Sequence, residues 1–286
     1  MVNITALLSQ ALPYATVYAL AAQGELFLER AGLFNLGLEG MIYLSAGVAA
    51  ITALHTGSPI YGLLAGIISS IILALLYGFF VIALGADQAV TGLSIVFLGI
   101  GLGDVIGRAT GGAVTPSIGI LADDSIIALA VLVLPVVLYL VLFRSWLGYV
   151  VRSLGENPAT ARALGVPVTL TRIAALIING ALVGLAGSYL FFTGPLGSRW
   201  VSMSLLGWGW MSLGIVILGY WHPLGVVVAS YLVGLLYAIR PLLETVGIPS
   251  SIADVTPYLV VIIALAVISA LYEKMNIKPP TAIWSR

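Results

Sequence analysis

Glu25, Glu29, Arg30, Asn35 and Glu39 fall close together in ELFLERAGLFNLGLEGMIYLSAG, residues 25–47, between two apolar segments. Polar groups near a membrane cost free energy, so they usually face a cavity or pair with one another. Glu25 and Glu29 are one helical turn apart, as are Asn35 and Glu39. Arg30 can neutralise either of the first two carboxylates. Gly24, Gly32, Gly37 and Gly40 interrupt the regularity. The combination reads as a broken helix, a common way of building a site near the middle of a transporter. A second interrupted element lies at SLLGWGWMSLGIVILG, residues 204–219, ahead of His222 and Pro223. Two such elements in the two halves of a chain point to an internal duplication with a site between them.

A third stretch, ENPATARALGVP, reads as a short bounded helix. Asn157 is its N-cap and Pro158 suits the first helical position, where a missing N–H is harmless. Gly165 can take the left-handed conformation just past the end, and Pro167 stops continuation. About two turns of helix are marginal in water, so this element must dock onto something.

Other chemistries are excluded. The chain has two histidines, on different segments, and no cysteine, so an ordinary nitrogen–sulfur metal site is implausible. There is no G-x-x-x-x-G-K-[ST], so the chain does not hydrolyse ATP itself. Asp87, Asp104, Asp123, Asp124 and Asp254 lie at the ends of apolar segments rather than in facing pairs. Asp104 and Arg108, at i and i+4, should pair.

The elements that position these groups are helices in lipid. The 286 residues are 61% hydrophobic and 8% charged, with mean hydropathy +1.15. A soluble domain is nearer 25% charged, so this chain cannot cover itself in water. Net charge is zero, which gives no hint of nucleic-acid binding. No basic leader with a small-residue cleavage site opens the sequence, so Met1 onward is read as mature protein. Period-2 alternation is absent, which argues against a β-barrel. Apolar spans are predicted at 7–23, 37–54, 60–84, 88–107, 125–143, 172–193, 205–221, 223–239 and 257–272. The fold class is therefore all-α and polytopic, with about 8–9 transmembrane helices and broken or re-entrant elements, in one transmembrane domain over 1–286.

The polar loop 144–171, with Arg172, carries four arginines against Glu156, and the tail carries Lys274, Lys278 and Arg286 against Glu273. Loops rich in Lys and Arg stay in the cytoplasm. Four spans separate the two, so both can face inward. Counting back places the N-terminus outside, unless ERAGLFNLG is re-entrant. Gly99, Gly103, Gly107 and Gly111, with Gly101 between, and Gly180, Gly184 and Gly187, predict close helix packing. Trp146 and Trp221 read as interfacial belt residues, and His222 as structural.

ERAGLFNLGLEGMIYLSAGVAA resembles the E-R-x-G-x-x-N-[IL]-G-x-E-G-M motif of the permease subunits of nucleoside ABC importers, within the ribose and branched-chain amino acid permease family. GENPATARALGVPVTLTRIAALIINGALVGLAGSYL resembles that family's coupling loop and following span. GWGWMSLGIVILGYWHPLGVVVASYLVGLLYA resembles its G-x-G-[FW] segment. The likeness runs in order along nearly the whole chain. It departs at Arg162, where alanine is common, and conservatively at Leu36 and Val166. The GGIDLSVG of ribose-type relatives and the NFAHG of amino acid permeases are absent.

The resemblance implies a multi-pass plasma-membrane permease that is not an enzyme and holds no cofactor. ATP and magnesium would bind a partner ABC ATPase. A sister permease, identical or paralogous, and an extracytoplasmic binding lipoprotein complete the implied assembly. Gly155, Glu156, Asn157, Pro158, Ala161, Arg162 and Gly165 would form the ATPase-coupling element. Asn35 and Glu39 would line or shape the substrate path, since an amide and a carboxylate can match a ribose hydroxyl or a base edge. Trp208 and Trp210 could stack on a base, or belong to an interfacial belt. The family motif, together with this chemistry, orders nucleoside over sugar over amino acid. An ion-coupled secondary transporter would need no docking helix.

Overall fold

A computed structural model describes residues 4–116, 133–193 and 198–274. In chain order the helices are α1 (Ile4–Arg30), α2 (Leu38–Thr56), α3 (Pro59–Gly78, continued as a π-turn over Phe79–Ala83), α4 (Gln88–Arg108), α5 (Val133–Arg144), α6 (Trp146–Glu156), α7 (Pro158–Ala163), α8 (Val168–Thr193), α9 (Trp208–Leu218), α10 (Pro223–Thr245) and α11 (Ser250–Lys274). Among the described residues no strand forms beyond one isolated bridge, Val114 to Arg199.

Six of these helices are long and apolar enough to cross a membrane, and α5 with α6, bent by 75°, makes up to seven. α1 is long enough as well, at about 40 Å for 27 residues. It is the central helix, packed against α8, α9 and α10 and buried almost continuously from Ala11 to Glu29. The outer faces of α3, α4 and α11 expose large apolar side chains such as Ile68, Phe97 and Ile262, as befits surfaces against lipid. The predicted spans have helical counterparts with shifted ends, except that the seventh, 205–221, is only the 11-residue α9, too short to cross by itself. The first runs on to Arg30, the eighth to Thr245, and the last begins at Ser250. The first part of the predicted 125–143 span, Asp123 and Asp124, and the tail beyond Lys274 lie outside the described residues.

Two expectations need correction. The 25–39 patch is not broken throughout: α1 continues through Gly24, Glu25 and Glu29, and the break is confined to 31–37. A bond from Leu33 N–H to the Leu28 carbonyl (3.3 Å) closes a compact turn there. The 144–171 stretch is not a loop either, because most of it is α6 and α7.

The glycine pattern does what packing in lipid requires. α2 and α4 run side by side with Gly40 against Gly99 and with Gly103 against Tyr43 and Leu44. A Cβ on Gly99 would lie 2.6 Å from the Gly40 Cα. Gly180 and Gly184 seat α8 on α3, and Gly187 meets Ile42 and Ser45 of α2. Gly101 faces open space. Gly99→Val should therefore separate α2 from α4, while Gly101→Val should not. Size-exclusion profiles of the detergent-extracted variants check this: loss of the monodisperse peak is expected for the first alone.

α1 carries an internal proline at Pro13, α10 at Pro241 and α11 at Pro257. Each removes one bond from its helix ladder.

Candidate functional site

Every polar residue of the opening patch has a partner. Glu25, 0% exposed, accepts from the Asn35 N–H at 2.8 Å and from the Asn179 side-chain amide of α8 at 3.0 Å. Its carboxylate thus ties the 31–37 turn to α8. Glu29 and Arg30 form no direct ion pair. Glu29 accepts from the Trp221 indole N–H, and Arg30 donates Nε and Nη2 to the Trp221 carbonyl at 2.9 and 2.6 Å. Together they clamp a turn in which Tyr220 and Trp221 both have positive φ (55° and 48°), a conformation that costs a side-chain-bearing residue roughly 1–2 kcal/mol. Trp221 is buried, so it is not a belt residue, whereas Trp146 is 78% exposed.

Glu39, 2% exposed, lies in the first turn of α2 and reaches the first turn of α9. One carboxylate oxygen accepts from the Gly207 N–H. The other accepts from Gly209 at 2.7 Å and Trp210 at 3.4 Å. A helix N-terminus leaves its first N–H groups without intrahelical partners. Here the acceptor comes from a different helix. Two helix N-termini converge on one carboxylate, and their dipoles favour its charge where no lysine or arginine stands. The contact needs Gly207 at φ 99° to start α9, and Gly209, where a Cβ would sit 2.5 Å from the Glu39 Cα.

α9 is a half-length helix, about 16 Å for 11 residues. It begins beside Tyr18 and Glu39 in the interior and ends at the Glu29–Arg30 clamp. Asn35, 0% exposed, accepts from the Gly37 N–H at 2.8 Å and sets its Nδ2 against Met41 Sδ at 3.3 Å. Asn35 and Glu39 thus shape the start of α2 and α9.

Trp208, the first residue of α9, stands among three tyrosines. Its ring centroid lies 4.9 Å from Tyr18, 5.6 Å from Tyr237 and 6.0 Å from Tyr14, all within 22° of parallel. Two adjoining cavities of about 470 and 420 Å³ share Tyr14, Trp208, Tyr237 and Pro241. The larger also meets Tyr258 and the carboxylates of Glu244 and Asp254, which pair with Arg240. The smaller reaches Gln10. This volume suits a ligand of nucleoside or monosaccharide size. Trp210 is 42% exposed and lines neither cavity. Above the larger cavity, Asp104 takes Arg108 Nε at 2.7 Å, as the spacing predicts, and also the hydroxyls of Ser202 (2.6 Å) and Tyr43 (3.1 Å). It anchors the 201–206 segment, whose Ser204, Leu205 and Leu206 form part of the cavity wall.

The tyrosines and Asn179 escape a sequence reading because each sits inside a span that reads as apolar. Tyr14 next to Pro13, and an asparagine in mid-helix, were the available signals.

α7 is the helix the sequence describes. Asn157 caps it by accepting from the Thr160 N–H at 3.0 Å, Pro158 opens it, and Gly165 follows at φ 84°. Ala161 packs inward with Leu154 and Val168, while Thr160, Arg162 and Leu164 face outward. Gly155 rests against the Arg30 carbonyl at the end of α1, and Glu156 is exposed beside it. Among the described residues no cluster of His, Asp or Glu could hold a metal ion.

Comparison with known proteins places the chain. It is 32% identical, over 97% of its length and 95% of the relative's, to a Haloferax volcanii ABC transporter permease protein provisionally named for glucose. It is 26% identical, over 92% of the chain and 93% of the relative, to a guanosine ABC transporter permease protein of Bacillus subtilis. It is 28% identical, over 88% and 89%, to a nucleoside ABC transporter permease protein of Lactococcus lactis. No solved structure gives a significant match. Residues 7–265 match the family described as branched-chain amino acid transport system / permease component, and the chain belongs to that family of multi-pass membrane permeases.

Proposed function

We propose that this chain is the membrane-spanning permease subunit of an ABC importer that carries nucleosides across the plasma membrane. A separate ATPase subunit hydrolyses the ATP, and a sister permease and an extracytoplasmic binding lipoprotein complete the transporter. α7 with Gly155, Glu156 and Gly165 seats in the ATPase and transmits its closure. The arginine-rich side bearing α7, and the C-terminal tail, face the cytoplasm. The permease domain occupies the whole chain.

The observation that carries the substrate reading is Trp208 among Tyr14, Tyr18 and Tyr237 at the boundary of two cavities. Flat aromatic faces at stacking distance suit a flat heterocycle. Glu244, Asp254 and Gln10 supply groups for sugar hydroxyls. Asn35 and Glu39 shape the path by fixing where α9 begins. Trp210 completes the segment on the far side of Trp208. A sugar is the second reading, because the name of the Haloferax relative points there and an indole face also packs on a pyranose ring. The E-R-x-G-x-x-N motif at 29–41 and the names of the two bacterial relatives favour the nucleoside.

Reconstitution of both permeases, the ATPase and the binding lipoprotein in vesicles tests this. Labelled guanosine or adenosine should enter with ATP and be competed by unlabelled nucleosides, but not by glucose, ribose or leucine. Entry of a sugar or of leucine, with no nucleoside entering or competing, overturns the substrate and leaves the ABC permease standing.

A further inference from the structure

We infer that α6 is an in-plane anchor that lies in the lipid interface, with Trp146, Leu147 and Tyr149 set into the headgroup–acyl boundary. α6 turns 75° away from α5, the described end of the predicted 125–143 span; with α5 along the membrane normal, the 11 residues of α6 run close to parallel with the bilayer surface. Its inward face is fixed. Gly148 lies against the Val141 and Leu142 carbonyls of α5, Gly155 lies against the end of α1, and Val151 and Leu154 are buried.

The outward face is the unusual one. Trp146, Leu147 and Tyr149 are 78%, 66% and 59% exposed. A short helix with that much bulky apolar surface is not stable facing water, and its amphipathic character is that of a helix lying in an interface. Tryptophan and tyrosine favour the headgroup level, where one end of the ring is apolar and the other wet. The charge pattern matches an anionic lipid surface. Arg144 is exposed, and Arg152 stacks on Phe143 and Tyr149 (4.8 and 5.0 Å) with its Nε unpartnered. Neither forms an ion pair among the described residues. The one acid of α6, Glu156, stands at the far end near Arg30. α6 leads directly into α7, so the anchor fixes the height of α7 below the membrane. It also ties that height to α1 through Gly155 and the Arg30 carbonyl.

The chain has no cysteine, so single cysteines report without background. Nitroxides at Leu147→Cys and Tyr149→Cys, with Arg162→Cys on α7 as control, are measured in the full chain in vesicles. Collisions with oxygen and with a water-soluble nickel chelate are compared, with and without the ATPase. The labels at 147 and 149 should lie about 5–10 Å below the phosphates in both states. The label at 162 should be aqueous alone and shielded once the ATPase binds. Should labelling disturb folding, quenching of intrinsic fluorescence by headgroup-proximal brominated lipid should fall in Trp146→Phe relative to the unaltered chain. Labels at 147 and 149 that are aqueous alone and shielded by the ATPase would make α6 a protein-docking face. Labels aqueous in both states would leave it free in water. Either result overturns the anchor.

Discussion

Glu39→Ala is expected to abolish uptake while the chain still reaches the membrane. The substitution removes the acceptor for the N–H groups of Gly207, Gly209 and Trp210 at the start of α9. A buried N–H left without a partner costs about 1–3 kcal/mol, and loss of an N-cap acceptor costs about 0.5–2 kcal/mol. Since about 1.4 kcal/mol is a factor of ten, losing even one of these contacts permits α9 to shift or fray. Its first residue is Trp208, so the aromatic wall of both cavities shifts with it. Glu39→Gln keeps one acceptor oxygen and turns an NH₂ group toward the remaining donors. It should retain some activity, at about a tenth of the parent rate or below. The measurement is ATP-driven uptake in vesicles holding equal amounts of inserted protein. Parent-level uptake in both variants would reduce Glu39 to a packing role.

The second large effect belongs to α7. Proline at Ala161 deletes the N–H that donates to the Asn157 carbonyl at 3.0 Å and drives its ring into that carbonyl, a penalty of about 3 kcal/mol. Ala161 is also the inward residue of α7, packed on Leu154 and Val168. The helix should unwind while the spans, which share none of these bonds, stay folded. Ala161→Pro should therefore give a chain that inserts and extracts normally, yet loses both uptake and substrate-stimulated ATP hydrolysis by at least about tenfold. Undiminished coupling in that variant would mean that α7 is not the transmitting element.

α7 was legible because its signals are local. A cap, a first-turn proline and a terminal glycine act within one turn of their own residues. The glycine rows were legible for the same reason, since spacing alone says which residues share a face. The Glu25–Glu39 patch was legible as a place but not as a wiring diagram. Apart from the Asn35 N–H that Glu25 accepts ten residues away, the partners of Glu25, Glu29 and Glu39 are Asn179, Trp221 and Gly207–Trp210, all more than a hundred residues away, and nothing in local spacing selects them. The pairing of Glu29 with Arg30 followed from proximity in sequence. It fails because adjacent residues on a helix point about 100° apart, and each finds a different atom of Trp221. Asp104 with Arg108 succeeds because that pair is four apart on one face. The cavity itself was half visible. Trp208 stood out as a tryptophan beside glycines, while Tyr14 and Tyr237 looked like ordinary members of apolar spans.

Pro13, Pro241 and Pro257 divide the molecule mechanically. Pro13 and Pro241 line the cavities, and Pro257 adjoins Tyr258, which does too. At each of these points the helix has already given up a ladder bond, so flexing there breaks no further one at that position. At the far end of α1 from Pro13, the buried Glu25 and Glu29 carboxylates tie α1 to α8 and to the turn at Trp221. The cavity walls are therefore where these helices can bend at least cost, and the Glu25–Glu29 end of α1 is where bending would break side-chain bonds.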